Sequence, residues 1–173
     1  MTKRWSRHPG RLPAAADGDP GSLIAVRRSL IAVIAVATAA QFSVPVPGSS
    51  VPQSLQTLAV VVVGTLLGPR DGTIALILYL VAGAIGLPVF ADGASGWQHL
   101  TGSTAGYLAG FVLAAALVGA AGPSPWWRVL ITMIIGHAVI LFAGWLRLQF
   151  MIGPGPAWQR GVAPFIVGGL VKS

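Results

Sequence analysis

Residues 52–111 read PQSLQTLAVVVVGTLLGPRDGTIALILYLVAGAIGLPVFADGASGWQHLTGSTAGYLAGF, and their pattern decides the fold. Two apolar runs, 55–67 and 73–87, flank the short turn Gly68-Pro69-Arg70-Asp71-Gly72. A third run starts near Thr104. Between the second and third lies a Gly-rich loop carrying Pro88, Asp92, Trp97 and His99. Two apolar helices in a tight hairpin, followed by a polar and aromatic loop, predict a membrane protein with a site at one face of the bilayer.

Composition supports the same class. Only 9% of the 173 residues are charged and 54% are hydrophobic, against about 25% charged in an ordinary soluble domain. So little charge cannot cover a water-facing surface, and lipid is the expected environment. The chain has no Glu and no Cys, which excludes disulfides and thiolate metal sites. The net charge of +7 does not point to nucleic acid. Six of the eleven basic residues lie at or before Arg28, a distribution that fits the positive-inside rule better than a phosphate-binding patch.

Outward from the central stretch, residues 1–22 are polar and aperiodic and predict a disordered cytoplasmic tail. Residues 23–173 form the expected transmembrane domain, with helices at about 29–43, 54–68, 73–87, 104–121, 127–150 and 165–173. The first admits a second reading as a signal peptide, with Ala37-Thr38-Ala39 as the cleavage site; a retained helix is the expectation, because more apolar segments follow. Gly153–Pro164 reads as a loop because it holds three prolines. The last helix reaches Ser173 after nine residues, short of a span, and reads as incomplete. With the tail inside, Arg70 and Arg128 also fall inside, whereas Arg147, Arg160 and Lys172 fall outside. Arg147 is there either a snorkelling side chain or a cation for an anionic ligand. Small residues four apart, including Ala35 and Ala39, Gly64 and Gly68, and Gly106 and Gly110, allow close helix packing in lipid.

No catalytic constellation is present. There is no GxxxxGK[ST] loop for nucleotide, the four Asp residues form no acid pair, and His8, His99 and His137 have no ligand spacing. His137 sits mid-helix and reads as a packing residue. Binding rather than catalysis is expected, with no enzyme activity, cofactor or metal.

The runs SLQTLAVVVVGTLLGPRDG, LYLVAGAIGLPVF and GSTAGYLAGFVLAAALVG resemble the BioY family, the biotin-binding S components of energy-coupling factor (ECF) transporters. The resemblance implies an all-α, six-helix membrane bundle in the cell membrane with both termini cytoplasmic. It implies a biotin pocket near the outer face, and as partners a transmembrane T component and a pair of cytoplasmic ATPases. Near the end, Pro164-Phe165-Ile166-Val167-Gly168-Gly169-Leu170-Val171-Lys172 is similar to a family motif; Gly169 stands where the family has Asp, and the family Lys is kept as Lys172. A biotin pocket needs apolar walls, a few polar groups and one cation. Gln56, Thr57, Trp97, Tyr107, Arg147 and Lys172 are the candidates, and Ala35 and Ala39 are the candidate face for the T component. Two alternatives stay open: an S component for another small vitamin-like ligand, and a truncated scaffold that transports nothing.

Overall fold

The computed structural model describes residues 20–49, 51–122 and 124–166. Its elements in order are α1 (Pro20–Gln41), the two-residue strands β1 (Ser43–Val44) and β2 (Gln53–Ser54), α2 (Gln56–Ala84), a 3-10 turn at Ala91–Gly93, α3 (Trp97–Thr101), α4 (Ala105–Ala120), α5 (Trp126–Ile152) and α6 (Pro154–Gly161). Residues 163–166 are again helical.

Among the described residues, three helices could cross a membrane by length and composition alone: Gly21–Gln41, Gln56–Ala84 and Trp126–Ile152. The second is a hairpin rather than one rod. Gly68 has φ 79° and ψ 179°, a conformation open almost only to glycine, and the chain reverses there. Pro69 follows at the first position of the second arm, where its fixed φ suits a helix start and its missing N–H is not needed. The arms lie antiparallel. A Cβ on Gly72 would sit 3.2 Å from the Cα of Gly64, although a straight helix would hold residues eight apart at about 12 Å. The turn expected over residues 68–72 is therefore a single-residue reversal.

α4 is the central helix. One of its faces meets the first arm of α2, where a Cβ on Gly64 would lie 2.9 Å from the Cα of Ala115. Its other side meets α5, where a Cβ on Gly106 would lie 2.3 Å from the carbonyl oxygen of Ala143. Glycine at these crossings lets backbones touch, which is how apolar helices gain packing energy when lipid removes the hydrophobic drive. These four-residue patterns are thus used inside the chain. Large apolar side chains such as Leu66, Ile85 and Phe150 point outward, as lipid-facing residues should.

The sequence reading missed α3, which lies inside the expected Gly-rich loop, and two further segments depart from it. α1 starts at Pro20 rather than near residue 29, so the polar residues 20–22 and the Arg27-Arg28 pair are helical; proline at the first turn starts a helix without loss. Within the expected loop 153–164, Pro154–Gly161 is helical. Pro154 and Pro156 both fall in the first turn, where their missing donors cost nothing. Residues 1–19, most of the expected tail, and residues 167–173, including Gly169 and Lys172, lie outside the described residues.

The bundle has two unlike ends. Gly119 packs on Gly68 and Pro69, and Arg28 lines the same groove as Leu66 and Leu67. Arg28, Arg70 and Arg128 therefore gather at one end. The ribbon β1–β2, the loop after α2, α3 and α6 gather at the other. Ser43 pairs with Ser54 and Val44 with Gln53 in the ribbon. The Gln41 side-chain amide donates to the Phe90 carbonyl at 3.2 Å, and the Ser43 hydroxyl is hydrogen-bonded to the Asp92 carboxylate, so ribbon and loop are tied together.

Candidate functional site

Under the ribbon lies a half-enclosed cavity of about 680 Å³, counted to its open mouth. Its roof is 51–54, its floor and walls come from α2, α4 and α5, and Phe165 closes one side. Phe90, Tyr107, Phe111 and Ile140 make the walls apolar.

Gln56 and Thr57 enter the cavity because α2 begins there. The Ser54 hydroxyl accepts the Gln56 backbone N–H at 3.3 Å, satisfying one of the donors left open at a helix start. Leu55 N–H donates to the Phe42 carbonyl at 3.1 Å, which sets the ribbon against this turn. Gln56 is 4% exposed, and its side-chain Nε2 donates to the Tyr79 hydroxyl at 2.6 Å.

Tyr107 contributes its ring rather than its hydroxyl. The O–H donates to the Gly161 carbonyl at 2.6 Å, linking α4 to α6, and the ring lies 6.3 Å from that of Phe165. The six sequence candidates thus divide. Gln56, Thr57 and Tyr107 come together on the cavity. Trp97 is 68% exposed on α3 and is not among the lining residues. Arg147 lies outside the lining too, with its guanidinium donating to the carbonyls of Gly102 and Thr101; it braces the turn that precedes α4. Lys172 lies outside the described residues. Ala35 and Ala39 lie together in a separate apolar groove between α1 and the first arm of α2.

Both described histidines line the cavity, which their lack of ligand spacing did not predict. His99 stacks on Phe90, with ring centroids 5.0 Å apart and planes 17° apart. Burial of its ring, which favours the uncharged form, holds His99 below the ordinary imidazole value. His137 has Nδ1 3.0 Å from the Met133 carbonyl; a carbonyl only accepts, so that nitrogen carries the proton. The cavity therefore offers broad apolar walls and a few polar groups. Among its described lining residues there is no Lys, Arg or Glu.

Apolar helices, lipid-facing side chains and a cavity open at one end define a polytopic helical membrane protein. The chain belongs to the BioY family, whose profile matches residues 19–173. It is 34% identical to a probable biotin transporter BioY of Pyrococcus horikoshii, over 84% of this chain and 88% of that one. It is likewise 34% identical to the biotin transporter BioY of Thermotoga maritima, over 75% and 78% of the two chains. The fold matches a crystal structure of the S-component for biotin from an ECF-type ABC transporter with a TM-score of 0.79. That match is 23% identical in sequence and covers 89% of this chain and 87% of the other.

Proposed function

We propose that this chain is the membrane subunit that captures biotin at the outer face of the cell membrane. It delivers biotin to an energy-coupling module of a transmembrane T component and paired cytoplasmic ATPases. The observation that carries the reading is the cavity under the ribbon, in a family whose named members are biotin transporters.

The cavity suits the chemistry of biotin. The fused bicycle and aliphatic chain fit against Phe90, Tyr107, Phe111 and Ile140. The ureido group, which both donates and accepts, meets Gln56 and Thr57. The carboxylate needs a cation in a poorly hydrated site. Lys172, the Lys kept from the family motif, takes that role, while Arg147 is occupied with two backbone carbonyls. Trp97, exposed on α3, serves as an interfacial aromatic. The N-terminus is cytoplasmic: Arg28, Arg70 and Arg128 gather at the end away from the cavity, which supports that orientation under the positive-inside rule. Ala35 and Ala39 offer the T component a small-residue groove between α1 and the first arm of α2. Equilibrium binding of radiolabelled biotin to the purified chain tests the proposal.

A further inference from the structure

Tyr79 is one of the most buried side chains in the bundle, with 0% of its surface exposed, and it is tied at both ends of its hydroxyl. Its oxygen lies 2.6 Å from Nε2 of Gln56, and it donates to the Val89 carbonyl at 2.9 Å. Its ring meets Phe90 edge-on, with centroids 5.6 Å apart and planes at 77°.

The direction of these bonds is forced. A carbonyl oxygen only accepts, and a phenol has one proton. That proton goes to Val89, so the phenol oxygen must accept from its other neighbour. Only the NH2 end of the Gln56 amide can supply a donor. The flipped amide would set Oε1 against an oxygen with no proton left to give, which is costly in a buried, low-dielectric site. Oε1 therefore lies on the side of the amide away from Tyr79. It has no hydrogen-bond partner among the described residues, and Gln56 lines the cavity.

We infer that Tyr79 is a positioning residue: it locks the Gln56 amide so that the carbonyl oxygen is presented to the cavity as an acceptor for an N–H of the ligand. This rests on the reading of the cavity as the biotin site, where the ureido group supplies such an N–H. The same hydroxyl joins the second arm of α2 to the loop at Val89. The acceptor is thus set by the hairpin and the loop together, not by α2 alone.

The test is a double-mutant cycle on the purified full chain. It reads equilibrium binding of radiolabelled biotin and competition by biotin methylated on a ureido nitrogen. Tyr79→Phe keeps the ring and removes both hydrogen bonds. It should weaken biotin by roughly three- to tenfold, the loss of about one neutral hydrogen bond. Gln56→Ala should weaken biotin at least as much. The double variant should be no weaker than Gln56→Ala alone, because Tyr79 acts only through Gln56. The preference for biotin over its N-methyl analogue should shrink in both single variants, which a merely structural role for Tyr79 would not produce. Should Gln56→Ala fail to fold, Gln56→Met replaces it in the cycle. Binding by the wild type with additive losses and unchanged preference overturns the positioning role alone. Absence of biotin binding by the wild type overturns the ligand reading and this inference together.

Discussion

The ring of Tyr107 on α4 occupies the space that a side chain at position 144 of α5 would need: a Cβ on Gly144 would lie 2.2 Å from its Cε1. The ring is held from the other end by its bond to the Gly161 carbonyl. To yield, it would have to strain that bond and move into the cavity it lines. Gly144→Ala should therefore overpack the interface and cost about 1–3 kcal/mol. A drop in the thermal midpoint of the detergent-purified chain, with weaker biotin binding as the Tyr107 wall shifts, is the expected result. An unchanged midpoint would mean that α4 and α5 separate freely there.

His99 gives the bundle a pH dependence whose sign follows from its burial. The folded chain holds its imidazole below the ordinary value of 6.5. Well above that value the ring is neutral in both folded and unfolded chains and contributes no pH dependence. As the pH falls below it, the unfolded chain takes up a proton that the folded chain resists, so stability is lost in that window. Between about pH 7 and about pH 5, the wild type should lose more thermal stability than His99→Gln. Parallel curves for the two proteins would show that the stacked ring titrates as a free one.

The groove holding Ala35 and Ala39 is walled by apolar side chains, including Leu58 and Leu66, and lies apart from the cavity. Ala35→Trp with Ala39→Trp should abolish co-purification with the T component while leaving biotin binding by the solitary subunit intact. Undiminished co-purification would place the contact on another face.

Orientation has an equally direct test in a chain with no Cys. Cysteines introduced at Ser6 and at Ser95 should react with impermeant reagents from opposite sides of the membrane, Ser95 from outside. Labelling of both from outside would contradict a cytoplasmic N-terminus.

What the sequence made legible was local or periodic. The hairpin could be read because Gly68-Pro69 interrupts two apolar runs, and glycine and proline act on the backbone where they stand. Gln56 and Thr57 were candidates through the resemblance of the run that holds them, and they line the cavity; a polar pair at the head of an apolar run could equally serve helix packing, as the Gln56–Tyr79 bond does. The helix at Pro154–Gly161 was hidden by its prolines, whose effect depends on whether they fall in a first turn or an interior. The contacts that define the cavity join residues far apart in the chain. Arg147 reaches Gly102 across 45 positions, and nothing in spacing distinguishes that brace from a ligand-binding cation. Tyr79 looks like one more apolar residue of a helix; only its two bonds mark it out. His99 and His137 carried no pattern, because a cavity collects side chains by position in space.

The central claim is that this chain binds biotin, with its carboxylate held by a cation. Equilibrium binding of radiolabelled biotin to the purified protein, with unlabelled biotin and biotin amide as competitors, measures it most directly. A charge-assisted contact contributes on the order of 1.5–3 kcal/mol, or roughly 10- to 150-fold in affinity. The account predicts saturable binding of biotin, weakened by about that factor in Lys172→Ala, while the affinity for biotin amide barely changes. No saturable binding by the wild-type chain would contradict the account, and loss of binding in Arg147→Ala with none in Lys172→Ala would move the cation to Arg147.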